Sequence, residues 1–434
     1  MPMQKTVAIH TLGCKLNYSE SSAITRLMEQ DGFIKKDFGE LADVYVINTC
    51  SVTENADKEC RQLVRRIQRK APGSMVVITG CYAQLKPEEI AAIDGVDLIL
   101  GAAEKFNITH HLQHLTKGDT TKICSCDIEQ VNDFHSSFSI KERTRSFLKV
   151  QDGCDYSCSF CTIPLARGKS RSDSLENIIT NVKQLAHSGV KEVVLTGINL
   201  GDYLTPTVST SGEGAMKEKI AEKKGNFFSL INTLEKINGV ERYRISSIEP
   251  NLLSNEIIEF VANSKKFMPH FHIPLQSGSN KVLAAMRRRY KKEMYAKRIQ
   301  LIKRLMPHCC IGADVIVGFP GETDEDFKET LNFLHSLDIS YLHVFTYSER
   351  ENTHAVNIKP RVPISIRNSR NKILRNLSYQ KQQYFTQQHI GETRKVLFES
   401  YNKNGMMEGF TDNYIKITAP YKAKWVNEII DWKI

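Results

Sequence analysis

The stretch that decides the fold is Cys154-Asp155-Tyr156-Ser157-Cys158-Ser159-Phe160-Cys161, which follows the apolar segment Phe147-Leu148-Lys149-Val150. Three cysteines at this CxxxCxxC spacing can converge on one centre, and no fourth cysteine lies nearby in the sequence. Iron–sulfur clusters are normally held by four thiolates. A loop with three cysteines therefore predicts a cluster in which one iron stays open for a further ligand.

Zinc is the main alternative ligand for this loop, and three unrelated cysteines are the other alternative. Zinc sites more often pair one CxxC with a second CxxC or with an HxxxH. Neither pattern follows in this sequence. The spacing therefore favours the iron–sulfur cluster.

The first hundred residues alternate short apolar strands with helical stretches. This alternation favours a parallel sheet that is covered on both faces. Cys14, Cys50 and Cys81 each lie just beyond a predicted strand, at the edge where open α/β sheets bind ligands. A single cysteine there is more often a buried small hydrophobe, but three in equivalent places predict a second three-cysteine cluster site. The predicted strands are 6–11, 43–48, 75–79 and 97–100, and the helices between them are 19–30 and 58–70.

A second alternating series begins near residue 147 and contains six strand-and-helix units. Six such units predict an open βα barrel with its chemistry at the C-terminal ends of the strands. The CxxxCxxC loop follows the first of these strands. The predicted strands are 147–150, 192–195, 243–246, 271–274, 313–317 and 341–345.

The ends of the second to fifth barrel strands carry residues that suit a nucleotide-like cofactor. Glycine lets backbone approach a ligand closely, and hydroxyl, amide and carboxylate groups offer hydrogen bonds. Each strand end alone is more often a turn or a helix cap, but four around one cysteine loop favour a binding site. His270 and His272 lie on the fourth strand, and we expect one core and one surface residue. The candidates for cofactor binding are Gly197, Asn199, Ser247, Glu249, Gln276, Ser277, Ile316 and Gly318.

The net charge of +10 is unevenly distributed along the chain. Residues 281–304 contain ten Lys or Arg and one acid, and residues 359–381 contain seven Lys or Arg and no acid. Such blocks indicate binding to a polyanion such as RNA or DNA, whereas basic surface helices without a partner are the alternative. The segments 393–399 and 410–417 then predict a small all-β module, either a structural cap or an RNA-binding unit.

Several classes of protein are disfavoured by the sequence. Eleven cysteines spread over 434 residues do not resemble a disulfide framework. No apolar run approaches the roughly 18–20 residues that span a bilayer, and no convincing hydrolase motif is present. We therefore expect a soluble cytoplasmic protein without a membrane partner. The polar segment 205–225 is expected to be a surface insertion.

The chain resembles the methylthiotransferases, a radical S-adenosylmethionine (SAM) family, over essentially its full length. The resemblance rests on motifs around the six cysteines named above and on two further motifs in the barrel. It implies α/β domains at 1–118 and 140–372, the second a partial (βα)6 radical SAM barrel, and an RNA-binding all-β TRAM module at 373–434. The motifs are 11–17 (TLGCKLN), 48–52 (NTCSV), 79–84 (TGCYAQ), 151–168 (QDGC to RG), 274–278 (PLQSG) and 318–322 (GFPGE).

The resemblance also implies cofactors and partners. It implies a [4Fe-4S] cluster at Cys154, Cys158 and Cys161 whose open iron binds SAM, the radical source and methyl donor. A second [4Fe-4S] cluster at the N-terminal cysteines would present or donate sulfur. The implied partners are tRNA, a reductant such as flavodoxin or ferredoxin, and a sulfur donor.

Branches of the family differ in substrate: N6-isopentenyladenosine in tRNA, N6-threonylcarbamoyladenosine in tRNA, or an aspartate of a ribosomal protein. The GCKLN sequence around Cys14 and the run 286–290 (MRRRY) resemble the threonylcarbamoyladenosine branch. We expect Lys15, Arg167, Arg287, Arg288 and Arg289 to contact substrate or RNA. A non-catalytic metal-containing RNA-binding protein and a radical SAM enzyme acting on protein are the rival classes.

Overall fold

A computed structural model describes residues 4–51, 54–140, 144–205, 225–401 and 404–434. They form an N-terminal α/β unit, a barrel-like α/β unit and a C-terminal antiparallel β unit. Residues 206–224 of the polar segment expected to be a surface insertion lie outside the described residues. Among the described helices, none is both long enough and apolar enough to cross a membrane.

The N-terminal unit is built on a six-stranded sheet in which all neighbouring strands are parallel, in the order β2-β1-β3-β4-β5-β6. Its strands are β1 Thr6–Thr11, β2 Ile34–Lys36, β3 Val44–Thr49, β4 Met75–Gly80, β5 Leu98–Leu100 and β6 Lys122–Cys124. Its helices are α1 Lys15–Gln30, α2 Glu54–Lys70, α3 Cys81–Leu85, α4 Pro87–Ala91 and α5 Ile108–Gln113. The predicted parallel sheet is confirmed.

Helices cover both faces of this sheet, as its apolar strands require. Along β3, Val44 and Val46 pack into one hydrophobic cluster, whereas Tyr45 and Ile47 pack into another. Successive side chains of a strand point to opposite faces, so an apolar run of this kind must be buried on both sides. A ligand can therefore reach this sheet only at the ends of its strands.

The six predicted barrel strands are present and neighbour one another in chain order. Parallel pairing joins the first three strands and the last three, and a parallel bridge between Tyr243 and Phe267 connects the two groups. The short β7 extends the first edge in antiparallel fashion. The strands of this unit are β7 Ser137–Phe138, β8 Arg145–Lys149, β9 Gln151–Asp152, β10 Arg171–Ser172, β11 Glu192–Thr196, β12 Arg242–Ile245, β13 His270–His272, β14 Cys310–Val317 and β15 Tyr341–Thr346.

Helices follow the barrel strands and enclose one large apolar core with them. This arrangement is an open βα barrel. The helices are α6 Ile163–Arg167, α7 Leu175–His187, α8 Phe227–Glu235, α9 Asn255–Asn263, α10 Asn280–Ala285, α11 Lys292–Leu305, α12 Asp324–Ser336 and α13 Ile364–Gln387. Short 3₁₀ helices occupy Ile128–Gln130, Leu200–Asp202, His354–Asn357 and Ala423–Trp425.

The C-terminal unit is a four-stranded antiparallel sheet in the order β18-β17-β16-β19, which confirms the predicted all-β module. The predicted segment 410–417 is not one strand, because it crosses the turn between the second and third strands. The strands are β16 Thr393–Tyr401, β17 Met406–Thr411, β18 Lys416–Pro420 and β19 Ile429–Lys433.

Two of the predicted domain boundaries do not coincide with the ends of the observed units. Strand β6 continues the N-terminal sheet past residue 118, and helix α13 runs past residue 372. We therefore propose that the boundaries lie after residues 124 and 387.

Buried arginines hold the C-terminal module against the barrel. Arg242 donates to the carbonyl of Lys395 at 2.8 Å, and Arg244 donates to the carbonyl of Asp412 at 3.1 Å. The guanidinium of Arg145 stacks on the ring of Phe410 at 4.4 Å. These contacts bring the loop after β17 beside the interior of the barrel, where it contributes to the site described next.

Candidate active site

The N-terminal cysteines lie together at one edge of the sheet. Cys14, Cys50 and Cys81 follow β1, β3 and β4, which are neighbours in the sheet. Cys14 is the N-cap of α1 and Cys81 is the first residue of α3. Because the N-terminus of a helix favours negative charge, these two positions suit thiolate ligands.

Glycines next to these cysteines let the strand ends approach one another. A Cβ at Gly13 would lie 2.5 Å from the Cβ of Cys50, and a Cβ at Gly80 would lie 2.3 Å from the carbonyl oxygen of Thr49. Both glycines have positive φ, +101° and +97°, a conformation that other residues rarely adopt. The glycines of the two motifs thus pack the three strand ends closely.

The barrel cysteines lie on the loop after β9, and each sulfur accepts a hydrogen bond. The amide of Tyr156 donates to Cys154 and the amide of Ile163 donates to Cys161, both at 3.4 Å. Arg288 donates to the sulfur of Cys158 at 3.0 Å. Such donors stabilise thiolates, whereas burial raises the pKa of Cys154 to about 11 and that of Cys161 to about 12. A metal centre bound at these positions would hold the cysteines as thiolates.

The spacing of the sulfurs fits clusters better than single zinc ions. A tetrahedral zinc site has Zn–S bonds of about 2.3 Å, so its sulfurs lie about 3.8 Å apart. Among the described His, Cys, Asp and Glu residues, neither cysteine triad brings its ligand atoms within 4.8 Å of one another. In a cluster, each cysteine binds a different iron, which allows a wider spacing.

Arg288, predicted to contact substrate or RNA, lies beside the cysteine loop, and its side chain is engaged there. Its side chain is 3% exposed, and it donates to Glu249 as well as to Cys158. Tyr290 supports it, accepting from Nε of Arg288 at 3.2 Å. Glu249, predicted to bind cofactor, thus holds this arginine against the cysteine loop. The three consecutive arginines therefore differ in exposure, because Arg287 and Arg289 remain exposed whereas the side chain of Arg288 is buried.

Arg167, also predicted to contact substrate or RNA, is buried. It lies between the N-terminal unit and the barrel and is 3% exposed. It donates to Glu20 at 3.1 Å and to Asp152 at 3.0 Å. Burial raises the pKa of Cys81, and the neighbouring Arg167 opposes that rise. Arg167 therefore joins the two units beside the N-terminal cysteines.

Two further cations complete this buried network. Lys105 of the N-terminal unit donates to Glu20 at 2.6 Å, and Lys149 of β8 donates to it at 3.2 Å. Although burial opposes ionisation, these cations and Arg167 hold the pKa of Glu20 well below its usual range. Glu20 is therefore a carboxylate on which three cations from both units converge.

A cavity of about 900 Å³ extends from the N-terminal cysteines along the inner face of the barrel. Cys14 and Cys50 line it on one side, and two predicted cofactor residues, Gly197 and Ser247, line it on the other. A smaller cavity of about 220 Å³ contains Cys161 together with Gln276 and Ile316, two further predicted cofactor residues. The two cavities share the lining residues Ile163, Asp314 and Phe345. Cysteines of both triads therefore line neighbouring cavities.

Three other predicted cofactor residues point elsewhere or support the backbone. Ser277 is fully buried and its hydroxyl bonds to that of Thr330 on α12. At Gly318 a Cβ would lie 2.2 Å from Arg367 of α13, so this glycine packs against that helix. Asn199 donates to Asp202, and its amide donates to Gln151 at 2.8 Å. Asn199 therefore fixes the turn after β11.

Sequence reasoning missed a group of polar residues on the inner face of the barrel. Asp314 and His343 are paired neighbours on β14 and β15, and both line the larger cavity with His270 and His272. The expectation that one of these two histidines lies on the surface is wrong, because residues two apart in a strand share a face. The two-residue periodicity of a strand could thus have placed both histidines on one face from the sequence alone.

Lys15 also lines the larger cavity, as expected for a residue that contacts substrate. It is the first residue of α1 and its side chain is open to the cavity. Desolvation by the surrounding walls of the cavity lowers the pKa of Lys15, although Tyr414 and Asp314 oppose that effect. Phe410 and Tyr414 of the C-terminal module complete this wall. All three units therefore contribute to one cavity.

The basic blocks are partly structural. Arg367 and Arg370 of α13 are buried and pair with Glu349 and Glu322. In contrast, a groove of about 1080 Å³ beside the cysteine loop is lined mainly by basic and polar side chains of α11 and the preceding turn. Its basic residues are Arg288, Arg289, Lys291, Lys297, Arg298 and Arg304. This groove is the part of the block 281–304 that remains available to a polyanion.

Two known families match parts of this chain. Residues 6–101 match the uncharacterized protein family UPF0004, and residues 148–334 match the radical SAM superfamily. Among solved structures, the radical S-adenosylmethionine methyltransferase TsrM from Kitasatospora setae, with cobalamin and a [4Fe-4S] cluster bound, superposes with a TM-score of 0.55. That match covers 79% of this chain and 75% of TsrM at 14% identity, and it shows a shared fold.

Curated relatives match nearly the whole chain. A protein of Bacillus subtilis (strain 168) named threonylcarbamoyladenosine tRNA methylthiotransferase MtaB is 39% identical over 99% of this chain and 93% of its own length. The MtaB protein of Aquifex aeolicus (strain VF5) is also 39% identical, over 95% of this chain and 96% of its own length. A tRNA-2-methylthio-N(6)-dimethylallyladenosine synthase of Syntrophus aciditrophicus (strain SB) is 33% identical, over 94% and 85%.

Proposed function

The chain belongs to the radical SAM methylthiotransferase family, and we propose that it converts N6-threonylcarbamoyladenosine in tRNA to 2-methylthio-N6-threonylcarbamoyladenosine. The observation that carries this proposal is the cavity of about 900 Å³ that Cys14 and Cys50 share with the barrel. Its volume lies in the range of about 300–1,000 Å³ that small-molecule sites occupy. A modified adenine can therefore lie between the two cysteine triads, 3′ of the anticodon.

The radical SAM domain implies a [4Fe-4S] cluster and SAM. Cys154, Cys158 and Cys161 are the residues that would hold the cluster. We propose that Cys14, Cys50 and Cys81 hold a second [4Fe-4S] cluster. When bound, these groups supply the electron and the radical that break the adenine C2–H bond, and the sulfur and methyl that replace the hydrogen.

The side chains of the protein position these groups and need not act as acids or bases. The adenine C2–H bond is too weakly acidic for general-base catalysis. Arg288 donates to Cys158 and so stabilises a thiolate ligand, whereas Arg167 holds the N-terminal unit against the barrel. Gly197 lines the cavity, and a Cβ there would lie 2.9 Å from the side chain of Gln151, so the packing leaves no room for a side chain at this position.

Beyond tRNA, the proposal requires two partners. Reductive cleavage of SAM needs a one-electron donor of the flavodoxin or ferredoxin class, and repeated turnover needs a sulfur donor. Because both partners and tRNA are available in the cytoplasm, we propose that the enzyme acts there. We also propose that the exposed Arg287 and Arg289, together with the basic groove, contact the tRNA backbone.

An assay with two tRNAs tests the proposed substrate. We expect anaerobically reconstituted protein to methylthiolate tRNA that carries N6-threonylcarbamoyladenosine at least about 100-fold better than tRNA that carries N6-isopentenyladenosine. The reason is that an apolar isopentenyl group would leave the polar groups Lys15, Asp314 and His343 of the cavity unpaired. Digestion to nucleosides and mass spectrometry measure both products.

The control for this assay is SAM cleavage in the same preparations, which must proceed with both tRNAs. A preference for the isopentenyl tRNA would overturn the proposed substrate but leave the enzyme class standing. Modification of an aspartate in a ribosomal protein, with neither tRNA modified, would assign the third branch of the family.

A further inference from the structure

One wall of the larger cavity carries a concentrated set of polar side chains from two units. We define the polar corner as Lys15, His272, Asp314, Tyr341 and His343, all of which line the cavity. Lys15 comes from the N-terminal unit, whereas the other four lie on β13, β14 and β15. Neither the cysteine loop nor the predicted cofactor residues include any of them.

Hydrogen bonds fix the barrel side of the polar corner. Nε2 of His272 donates to Asp314 at 2.8 Å, so its Nδ1 faces the hydroxyl of Tyr341 at 3.4 Å as an acceptor. That hydroxyl lies 3.1 Å from Nε2 of the adjacent His270. Burial and nearby cations lower the pKa of His270 well below its ordinary value, so this ring is neutral.

This chain of hydrogen bonds leaves one acceptor for a ligand. The Asp314 carboxylate binds both His272 and His343 through Oδ1, at 2.8 and 3.3 Å, and its side chain remains accessible from the cavity. Among the described residues, no hydrogen bond uses the other oxygen of Asp314. An accessible carboxylate oxygen of this kind can accept a hydrogen bond from a ligand.

Lys15 supplies the cation of the polar corner. Within the part of the chain that the structure describes, its ammonium forms no ion pair, unlike the nearby Arg145 and Arg244, which pair with Glu399 and Glu192. A lysine that is open to a cavity and has no acidic partner is available to an anionic group of a ligand.

We propose that the polar corner binds the threonyl part of the substrate: Lys15 pairs with its carboxylate and Asp314 accepts a hydrogen bond from its hydroxyl. This inference rests on the proposed function and names the groups that select the substrate. N6-Threonylcarbamoyladenosine carries both a carboxylate and a hydroxyl on its side chain, whereas the isopentenyl group carries neither. His272 and Tyr341 are positioning residues, because they act through Asp314.

A metal ion is the other ligand that this geometry could accept. The ligand atoms of His272, Asp314 and His343 all lie within 4.8 Å of one another. However, Lys15 lines the same cavity as these three residues, and its positive charge disfavours a divalent cation there. The observations therefore favour an organic anion with a hydroxyl group.

The test is a cycle that changes Lys15 and the substrate carboxylate together. Anticodon stem-loops carrying N6-threonylcarbamoyladenosine, or the same nucleoside with its carboxylate converted to an amide, are titrated anaerobically into wild-type and Lys15→Met protein. We expect either change alone to weaken binding about 10- to 100-fold, the range for a hydrogen bond between charged groups. In the Lys15→Met protein, we expect amidation of the substrate carboxylate to weaken binding little further.

Two controls separate this proposal from trivial causes. Lys122→Met changes an exposed lysine of β6 and should bind both stem-loops like the wild type. Iron content must be equal in all variants, because Lys15 is adjacent to Cys14. His343→Ala, measured by zinc and iron analysis of the purified protein, should lose no metal.

Independent effects of the two changes, or no loss on amidation of the carboxylate, would overturn the assignment of Lys15. Loss of a bound metal ion in the His343→Ala protein would show instead that the polar corner binds a metal. These results differ from failure of the proposed function, in which wild-type protein would convert no tRNA bearing N6-threonylcarbamoyladenosine.

Discussion

Replacing Cys154, Cys158 and Cys161 together by alanine is expected to halve the iron content, from about eight irons to about four, and to abolish reductive cleavage of SAM. The reason is that the two cysteine triads lie on different units, at the sheet edge and on the barrel loop. Losing one set of ligands therefore leaves the other intact. Iron and sulfide analysis and an anaerobic SAM cleavage assay measure the two effects.

The reciprocal variant, with Cys14, Cys50 and Cys81 replaced by alanine, should keep SAM cleavage and lose methylthiolation. Cys126→Ala is the matched control, because Cys126 is a partly exposed cysteine outside both triads, and it should retain all iron and both activities. Full iron content in the Cys154/Cys158/Cys161 variant would refute the ligand assignment. Loss of SAM cleavage in the reciprocal variant, with the barrel cluster intact, would refute the division of labour.

Arg167→Met is expected to destabilise the protein by about 3–5 kcal/mol, the usual effect of removing one partner from a buried ion pair. Methionine fills a similar volume but leaves the buried carboxylates of Glu20 and Asp152 without their shared guanidinium. Because the N-terminal unit and the barrel meet at this arginine, methylthiolation should fall further than SAM cleavage. Anaerobic urea denaturation and the two activity assays provide the measurements.

The exposed Arg304 of α11 provides the control, since Arg304→Met should change stability by at most about 0.5 kcal/mol. The folded-state pKa of Glu20 lies below its unfolded value. The contribution of the network is thus complete at neutral pH and lost as pH falls below about 4.5. Arg167→Met should accordingly lose less stability than the wild type as the pH falls from about 5 to about 2. Equal stability of Arg167→Met and wild type would contradict the role given to Arg167.

The strands and the cysteine sites were predictable because they depend on local pattern and on one topological rule. Short apolar runs with turn residues between them gave all six barrel strands to within a few residues. Cys14, Cys50 and Cys81 come directly after strands that are neighbours in a parallel sheet. Their position at one edge of the sheet could therefore be predicted from the strand ends alone.

The roles of the arginines were not predictable, because their partners are distant in sequence. Arg167 meets Glu20, which lies 147 positions earlier in the chain, and Arg288 meets Cys158, which lies 130 positions earlier. A run of basic residues has the same composition whether it faces RNA, a carboxylate or a cysteine ligand. Only the tertiary structure separates Arg288 from its exposed neighbours Arg287 and Arg289.

Lys15 of the polar corner was predicted to contact substrate, but the other four members were missed for a different reason. They come from strands β13 to β15, and none of the sequence motifs contains them. Two-residue periodicity would have placed His270 and His272 on one face. It could not have shown that Lys15 and Tyr414 from two other units would complete the same cavity.

The most direct test of the central claim is nucleoside analysis of tRNA from cells that lack this gene. The account predicts that 2-methylthio-N6-threonylcarbamoyladenosine disappears and that N6-threonylcarbamoyladenosine accumulates in its place. The wild-type gene should restore the modified nucleoside, whereas the variant with Cys14, Cys50 and Cys81 replaced by alanine should not. Unchanged 2-methylthio-N6-threonylcarbamoyladenosine, or loss of the isopentenyl counterpart instead, would contradict the account.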